Sequence, residues 1–319
     1  LKIITEKPPF VSSSSHAEVR SYLVSELEKL GLEVEIQEAE VLGQKNRNGT
    51  KVRNILAKIE GVEPGEALVL MSHYDSELST SFGASDAGNG VVVILESVRA
   101  FLEKGIQPKN DVINLISDAE ELGLLGAQAF VEKHPWSEGV RLVLNFEARG
   151  SGGPGLMFVE TNQGNRKLIE AFNHVNTSRP FSNSLFYSIY KLLPNDTDLT
   201  VFRENANVQG YNFAFIDDHF DYHTAQDNFD RLDRNTLQHQ ASYLMPALSY
   251  FSMADLSELS SESDVVFFNF PGTGLISYPF SWVYPMCFIG LLALLVLVIW
   301  GAKKQLLSLK DMAMGFIPL

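Results

Sequence analysis

Short apolar runs that end abruptly in ionisable residues decide what this chain can fold into. ALVLMS, DVINLIS, RLVLNF and GYNFAFI are each nearly free of polar residues and are closely followed by His, Asp or Glu. Runs of this length fit strands buried on both faces. Segments of helical period lie around and between them: SSHAEVRSYLVSELEKLGL, with Gly31 as a stop, then GVVVILESVRAFLEKG, LGLLGAQAFVEKH, NRKLIEAFNHVN and a long closing RLDRNTLQHQASYLMPALSYFSMA. EVEIQEAEV alternates like a half-buried strand, and RNILAKIEG reads as another. Strands alternating with helices predict a three-layer α/β/α domain around a mixed, mostly parallel central sheet.

The 319 residues suffice for one large domain with a substantial core. A net charge of −14 and a pI near 4.9 argue against nucleic acid as a partner. The single cysteine, Cys287, excludes a disulfide framework and a thiolate zinc site, so any metal must be held by His, Asp and Glu. The chain opens on Leu1 without a charged-then-apolar leader, which reads as a piece of a longer protein or a mature form. From Ser281 to Trp300 there is no charge, and the stretch suits the ~20 residues of a bilayer crossing. Trp282, Tyr284 and Trp300 fall at its ends, where aromatic belts form. Lys303, Lys304 and Lys310 follow it, so the positive-inside rule places that end in the cytoplasm and the large domain on the other side, in a periplasm, a lumen or outside the cell.

The ionisable residues after the apolar runs are the candidates for chemistry. His73 and Asp75 follow ALVLMS, Asp86 stands in the glycine-rich loop SFGASDAGNGV, Glu120 and Glu121 follow DVINLIS, and Glu147 follows RLVLNF. The loop after GYNFAFI carries His219 and His223. In an open α/β sheet, ligands bind beyond the carboxyl ends of the strands, so such a fold gathers these side chains at one edge. Taken alone, Glu120–Glu121 is an acidic helix start favoured by the dipole, and Asp86 is a turn residue. Taken together, two imidazoles and three carboxylates make two three-ligand zinc sites that share one carboxylate and leave a position open. Asp75 is then either the carboxylate partner of a ligating imidazole or a near neighbour of the metals. Gly83, Gly88 and Gly90 allow unusual backbone angles and close approach around Asp86. Glu120 is left over. Two metals ~3.5–4 Å apart lower the pKa of water towards ~7, and Glu120 is placed to take that proton and hand it to a leaving amine.

MSHYDS, GASDAGNGV, SDAEELGLLGAQAF, NFEARGSGG and DYHTAQDNFDRL, in this order, resemble the segments of co-catalytic dizinc exopeptidases. That family holds bacterial leucyl aminopeptidase, glutamate carboxypeptidase relatives and glutaminyl cyclases. The likeness runs roughly from Ser14 to Ala254. With NDTDLTVFRE and the apolar span, it is most similar to the membrane-bound branch, the vacuolar membrane proteases and endoplasmic-reticulum metallopeptidases. The resemblance implies Glu121 and His223 on a first zinc, His73 and Glu147 on a second, and Asp86 bridging both. It also implies Glu120 as proton shuttle, Asp75 behind His73, two zinc ions per chain, a peptide substrate and a cis peptide bond after Asp86. Ala87 stands where members often carry a second acid.

The expected function is therefore a membrane-anchored zinc exopeptidase, in particular an aminopeptidase. One rival is a single-zinc acyltransferase of the glutaminyl-cyclase type. Another is a non-enzymatic, receptor-like binding domain, which would have lost ligands; none is missing here. The expected organisation is a peptidase domain over 1–256, a Ser/Glu-rich juxtamembrane linker over 257–280, a transmembrane helix over 281–300 and a cytoplasmic segment over 301–319, whose MAMGFIPL would open a second span. His219 is assigned to the surface or to a place behind the ligands. His16, His134, His174 and His239 are expected to face solvent, and Asp196, Thr197 and Asp198 to line the pocket.

Overall fold

The computed structural model describes all residues except 44–46, 64, 78–79, 194–195, 271–273, 309, 311, 313 and 315–319. The second span expected at MAMGFIPL falls largely outside the described residues. The elements run α1 (Ser14–Lys29), β1 (Val34–Leu42), β2 (Gly49–Ile59), β3 (Ala67–His73), α2 (Asn89–Glu103), β4 (Asp111–Ser117), α3 (Leu125–Lys133), β5 (Val140–Phe146), β6 (Leu156–Glu160), α4 (Arg166–His174), α5 (Ser184–Leu192), α6 (Asp198–Ala206), β7 (Gln209–Ala214), α7 (Arg234–Phe251), β8 (Val265–Phe270), β9 (Gly274–Pro279) and α8 (Val283–Lys303).

Strands β1 to β7 form one sheet in the order β1-β2-β4-β3-β5-β7-β6. The central four, β4-β3-β5-β7, are parallel; β2 runs antiparallel beside β4, β1 antiparallel to β2, and β6 antiparallel beside β7. The pleat explains the unbroken apolar runs. In β3, Leu68 and Leu70 pack with α2, α4 and α7, while Val69 and Met71 pack with α3 and α6 on the opposite face. With both faces covered, the ionisable candidates gather at or beyond the carboxyl edge, while the strands themselves bury neutral polar side chains such as Asn114 and Asn145.

That edge is shaped by close backbone approach. A Cβ on Gly90 would lie 2.4 Å from Ser72 Oγ and 2.6 Å from the Phe146 carbonyl, so α2 can seat against β3 and β5 only with glycine there. Gly83, at φ +64°, supplies the left-handed turn into the Asp86 loop. The Asp86–Ala87 peptide is cis.

Residues 265–279, expected inside a linker, instead form the β8–β9 hairpin. Val265, Phe267 and Leu275 are buried in the main core, and the Asn165 side chain pairs with both the N–H and the carbonyl of Val265. The first run, VVFFNF, is apolar on both faces, so it lacks the alternation that marks a half-buried strand. Among the described residues, one helical stretch, Phe280–Lys303, is long and apolar enough to cross a membrane, with mean hydropathy 2.5 and none of its apolar window buried.

Candidate metal centre

Each candidate residue lies just past a central strand or in a loop that the sheet holds at its carboxyl edge. His73 is the last residue of β3 and is fully buried. Glu147 directly follows β5, and Glu120–Glu121 lie in the turn after β4. They are not a helix start. α3 begins only at Leu125, and Ala119 and Leu124 on either side adopt left-handed angles of +57° and +63°. Such angles cost energy for residues with side chains and cluster at functional sites.

The structure brings the seven predicted residues together. Asp86 stands between the two imidazoles: His73 Nε2 is 3.3 Å from Asp86 Oδ1, and His223 Nε2 is 3.1 Å from Asp86 Oδ2. Each imidazole meets one further carboxylate, Glu147 Oε2 at 3.5 Å for His73 and Glu121 Oε2 at 3.0 Å for His223. The result is two triplets, His73–Asp86–Glu147 and Asp86–Glu121–His223, with Asp86 common to both. Glu120 offers an oxygen within 4.8 Å of ligand atoms of His73 and Glu121 and faces the adjoining cleft.

Asp75 plays a part the sequence leaves open. His73 Nδ1 lies 2.9 Å from the Asp75 backbone carbonyl and 3.6 Å from its carboxylate. The carboxylate instead accepts from the N–H groups of Glu120 and Glu121, at 3.1 and 3.3 Å. Asp75 thus orients the imidazole with its main chain and the two glutamates with its side chain.

The donor set fits a pair of divalent cations. An imidazole that donates Nδ1–H to a carbonyl presents a lone pair at Nε2. In His73 that lone pair faces two carboxylate oxygens, an arrangement that needs a proton or a cation in between. Glu121 Oε1 is buried with no hydrogen-bond partner among the described residues, and such an atom is costly unless something binds it. The electrostatics agree. Burial pulls the His223 imidazole down, but hydrogen bonds to Asp86 and Glu121 outweigh it and hold it up at about 10. Burial, then the Asp86 charge, pushes Glu121 up to about 8. Burial raises Glu120 well above the usual carboxylate range; His73 opposes this, while Glu147, Glu121 and Asp198 add to it.

The aspartates that hold this arrangement were not singled out in the sequence. Asp227 accepts from the N–H groups of Ser85 and Asp86 at 2.6 and 3.2 Å and from Ser81 Oγ at 3.3 Å, which fixes the Asp86 loop. Asp221 is clamped by Arg231 through two bonds of 2.9 Å and by Ser151, and it anchors the turn before His223. Both lie within DYHTAQDN, where His223 is the candidate ligand. His219 is exposed and lies at a tilt against Phe220, outside both triplets. Two other histidines depart from expectation. His16 is buried, 2.8 Å from Asp118 and stacked on Tyr74, and His134 is buried against Phe130 and Trp136. Helical period alone does not reveal that these rings face inward to an acid or an aromatic partner.

The cleft beside the triplets is walled by Phe158, Ala214, Ile216, Tyr190 and Tyr222, with Arg149, Asp196 and Thr197 as further polar lining. Asp198, expected there too, is buried behind it on Ser117.

A family model for peptidase family M28 matches residues 54–248. The chain belongs to peptidase family M28. Endoplasmic reticulum metallopeptidase 1 of Rattus norvegicus is 31% identical over 234 residues, covering 72% of this chain and 26% of that protein. Vacuolar membrane protease of Candida dubliniensis is 33% identical over 222 residues, covering 69% of this chain and 23% of that protein. The chain thus spans about a quarter of the length of these relatives. Among solved structures, a Zn-dependent exopeptidase from Parabacteroides distasonis has a TM-score of 0.60 at 20% identity, over 78% of this chain and 94% of the other. Porphyromonas gingivalis glutaminyl cyclase has a TM-score of 0.62 at 21% identity, with the same coverage. Both share the fold.

Proposed function

We propose that this chain is the catalytic part of a membrane-anchored zinc exopeptidase, an aminopeptidase, with two zinc ions per chain and its catalytic domain on the non-cytoplasmic side. The observation that carries the reading is the Asp86 carboxylate, one oxygen on each imidazole, with a further carboxylate beyond each ring. In this reading Glu121 and His223 hold one ion, His73 and Glu147 the other, and Asp86 both. Zinc supplies Lewis acidity there, lowering the pKa of water from 15.7 towards about 7 and polarising a peptide carbonyl. Glu120 does the proton work. Its carboxylate takes a proton from the attacking water and delivers it to the departing amine. Asp75 keeps Glu120 at its post through the Glu120 N–H. The cleft walls hold the side chain of the residue being released. Lys303 and Lys304 at the end of α8 support the orientation.

Glu120→Gln removes the proton acceptor and leaves the five ligands. Turnover should fall by about 10²–10⁴-fold, while zinc per chain, measured by mass spectrometry of the purified full chain, stays at two. Normal turnover in this variant overturns the proton role. Peptides with free amino termini should be cleaved and N-blocked ones spared. One zinc per chain together with pyroglutamate formation would instead assign a cyclase.

A further inference from the structure

We propose that the outer face of the β8–β9 hairpin and the Leu185–Ile189–Leu192 stripe of α5 rest on the surface of the bilayer that α8 crosses. A two-stranded sheet with one face in the core normally turns polar residues outward. Here Val265, Phe267 and Leu275 point inward, yet the outer face is also apolar, built from the cross-strand pairs Val266–Tyr278 and Phe268–Ile276. From Val265 to Ala302 the sequence has no Asp, Glu, Lys, Arg or His. No linker intervenes before the span. β9 ends at Pro279, one turn follows over Phe280–Trp282, and α8 starts at Val283. Phe280, Trp282 and Tyr284 are exposed at this entry, the aromatic chemistry of a headgroup boundary.

α5 is tied to the same unit. Ser184 Oγ accepts from the Phe267 N–H at 2.8 Å, and Asn183 bridges to Phe268. Leu185, Ile189 and Leu192 recur at helical spacing and are 65%, 45% and 85% exposed. An interfacial helix sinks such a stripe about 5–10 Å into the headgroup region. Tyr190, on the far side of α5, lines the catalytic cleft, with its hydroxyl on Glu160. On this placement the cleft stands about one helix diameter, 10–12 Å, from the lipid.

The inference rests on α8 being a span, and the native Cys287 within it tests that separately. The full chain is reconstituted in phosphatidylcholine vesicles containing doxyl-labelled lipid. A bimane probe is placed on Cys287 or, in a Cys287→Ser background, on Leu192→Cys, Ile276→Cys or Val62→Cys. Val62 is exposed near the opposite edge of the sheet and serves as the water-facing control. Lipid quenching of the Leu192→Cys and Ile276→Cys probes should exceed that of Val62→Cys several-fold. Leu185→Cys and Phe268→Cys replace any variant that fails to fold. Quenching at the Val62 level while Cys287 is quenched overturns the proposal. Shielding from aqueous iodide without lipid quenching also overturns it, because protein then covers the face. An unquenched Cys287 overturns the span and the docking with it.

Discussion

At the scale of single residues, the ligands were legible because His73, Glu121 and Glu147 stand at or just past the ends of buried strands, and Asp86 and His223 in loops beside them. Their support was not. Whether Asp75 reaches His73 by carboxylate or carbonyl depends on a turn the sequence does not specify. Asp227 reads as an ordinary turn residue until its contacts with the Asp86 loop are seen. Removing it in Asp227→Ala should weaken zinc binding about 10–100-fold, the usual cost of losing a group that orients a ligand. Competition with a chromogenic chelator measures this, and unchanged affinity would show the loop needs no such brace. A second expectation concerns protons. In the metal-free protein, His223 sits at about 10 and Glu121 at about 8, so at pH 7 the pair holds protons that zinc must displace. Zinc affinity should rise as pH increases from 7 towards 10, with proton release detected by calorimetry in buffers of different ionisation enthalpy. The sign for stability is opposite. The raised His223 value helps the metal-free fold fully below about 6.5 and ceases to help as pH climbs through about 10.

At the scale of elements, burial on both faces made β3, β4, β5 and β7 plain in the sequence, and helical period gave α1, α2, α3, α4 and α7. The elements that escaped have weaker signals. β6 is five residues long, and α5 turns an apolar stripe outward, which blurs the inside–outside pattern. α6 announces itself mainly by the Thr197–Thr200 capping box rather than by a strong period. The glycines around Asp86 were legible as a loop, but their spatial reason is the packing of α2 on the sheet. Gly90→Ala tests it. The added Cβ would strike Ser72 Oγ and the Phe146 carbonyl, both fixed in strands that carry His73 and Glu147. Overpacking of this kind costs about 1–3 kcal/mol. A lower thermal midpoint and weaker zinc binding should appear together, since pushing α2 away also moves the ligand-bearing strand ends. A lower midpoint with unchanged zinc affinity would uncouple packing from the site.

At the scale of the whole molecule, the folded unit reaches past the Ser/Glu-rich stretch to the start of the apolar helix α8. The hairpin packs against α4, whose Leu168, Ile169 and Phe172 belong to the main core, and Asn269 binds the Ser182 N–H at 2.6 Å. Val265, Phe267 and Leu275 each bury an apolar side chain worth about 1.5–3 kcal/mol. Together they reach roughly 5 kcal/mol or more, comparable with the whole stability of about 5–15 kcal/mol of a typical domain. A chain shortened to end at Asp264 should therefore unfold far below the full chain in detergent and aggregate through the uncovered α4. A chain ending at Phe280 keeps the hairpin and loses α8 and the residues after it, and its midpoint should match that of the full chain. Equal midpoints for the two shortened chains would show that the hairpin is an accessory and that the domain closes near residue 256.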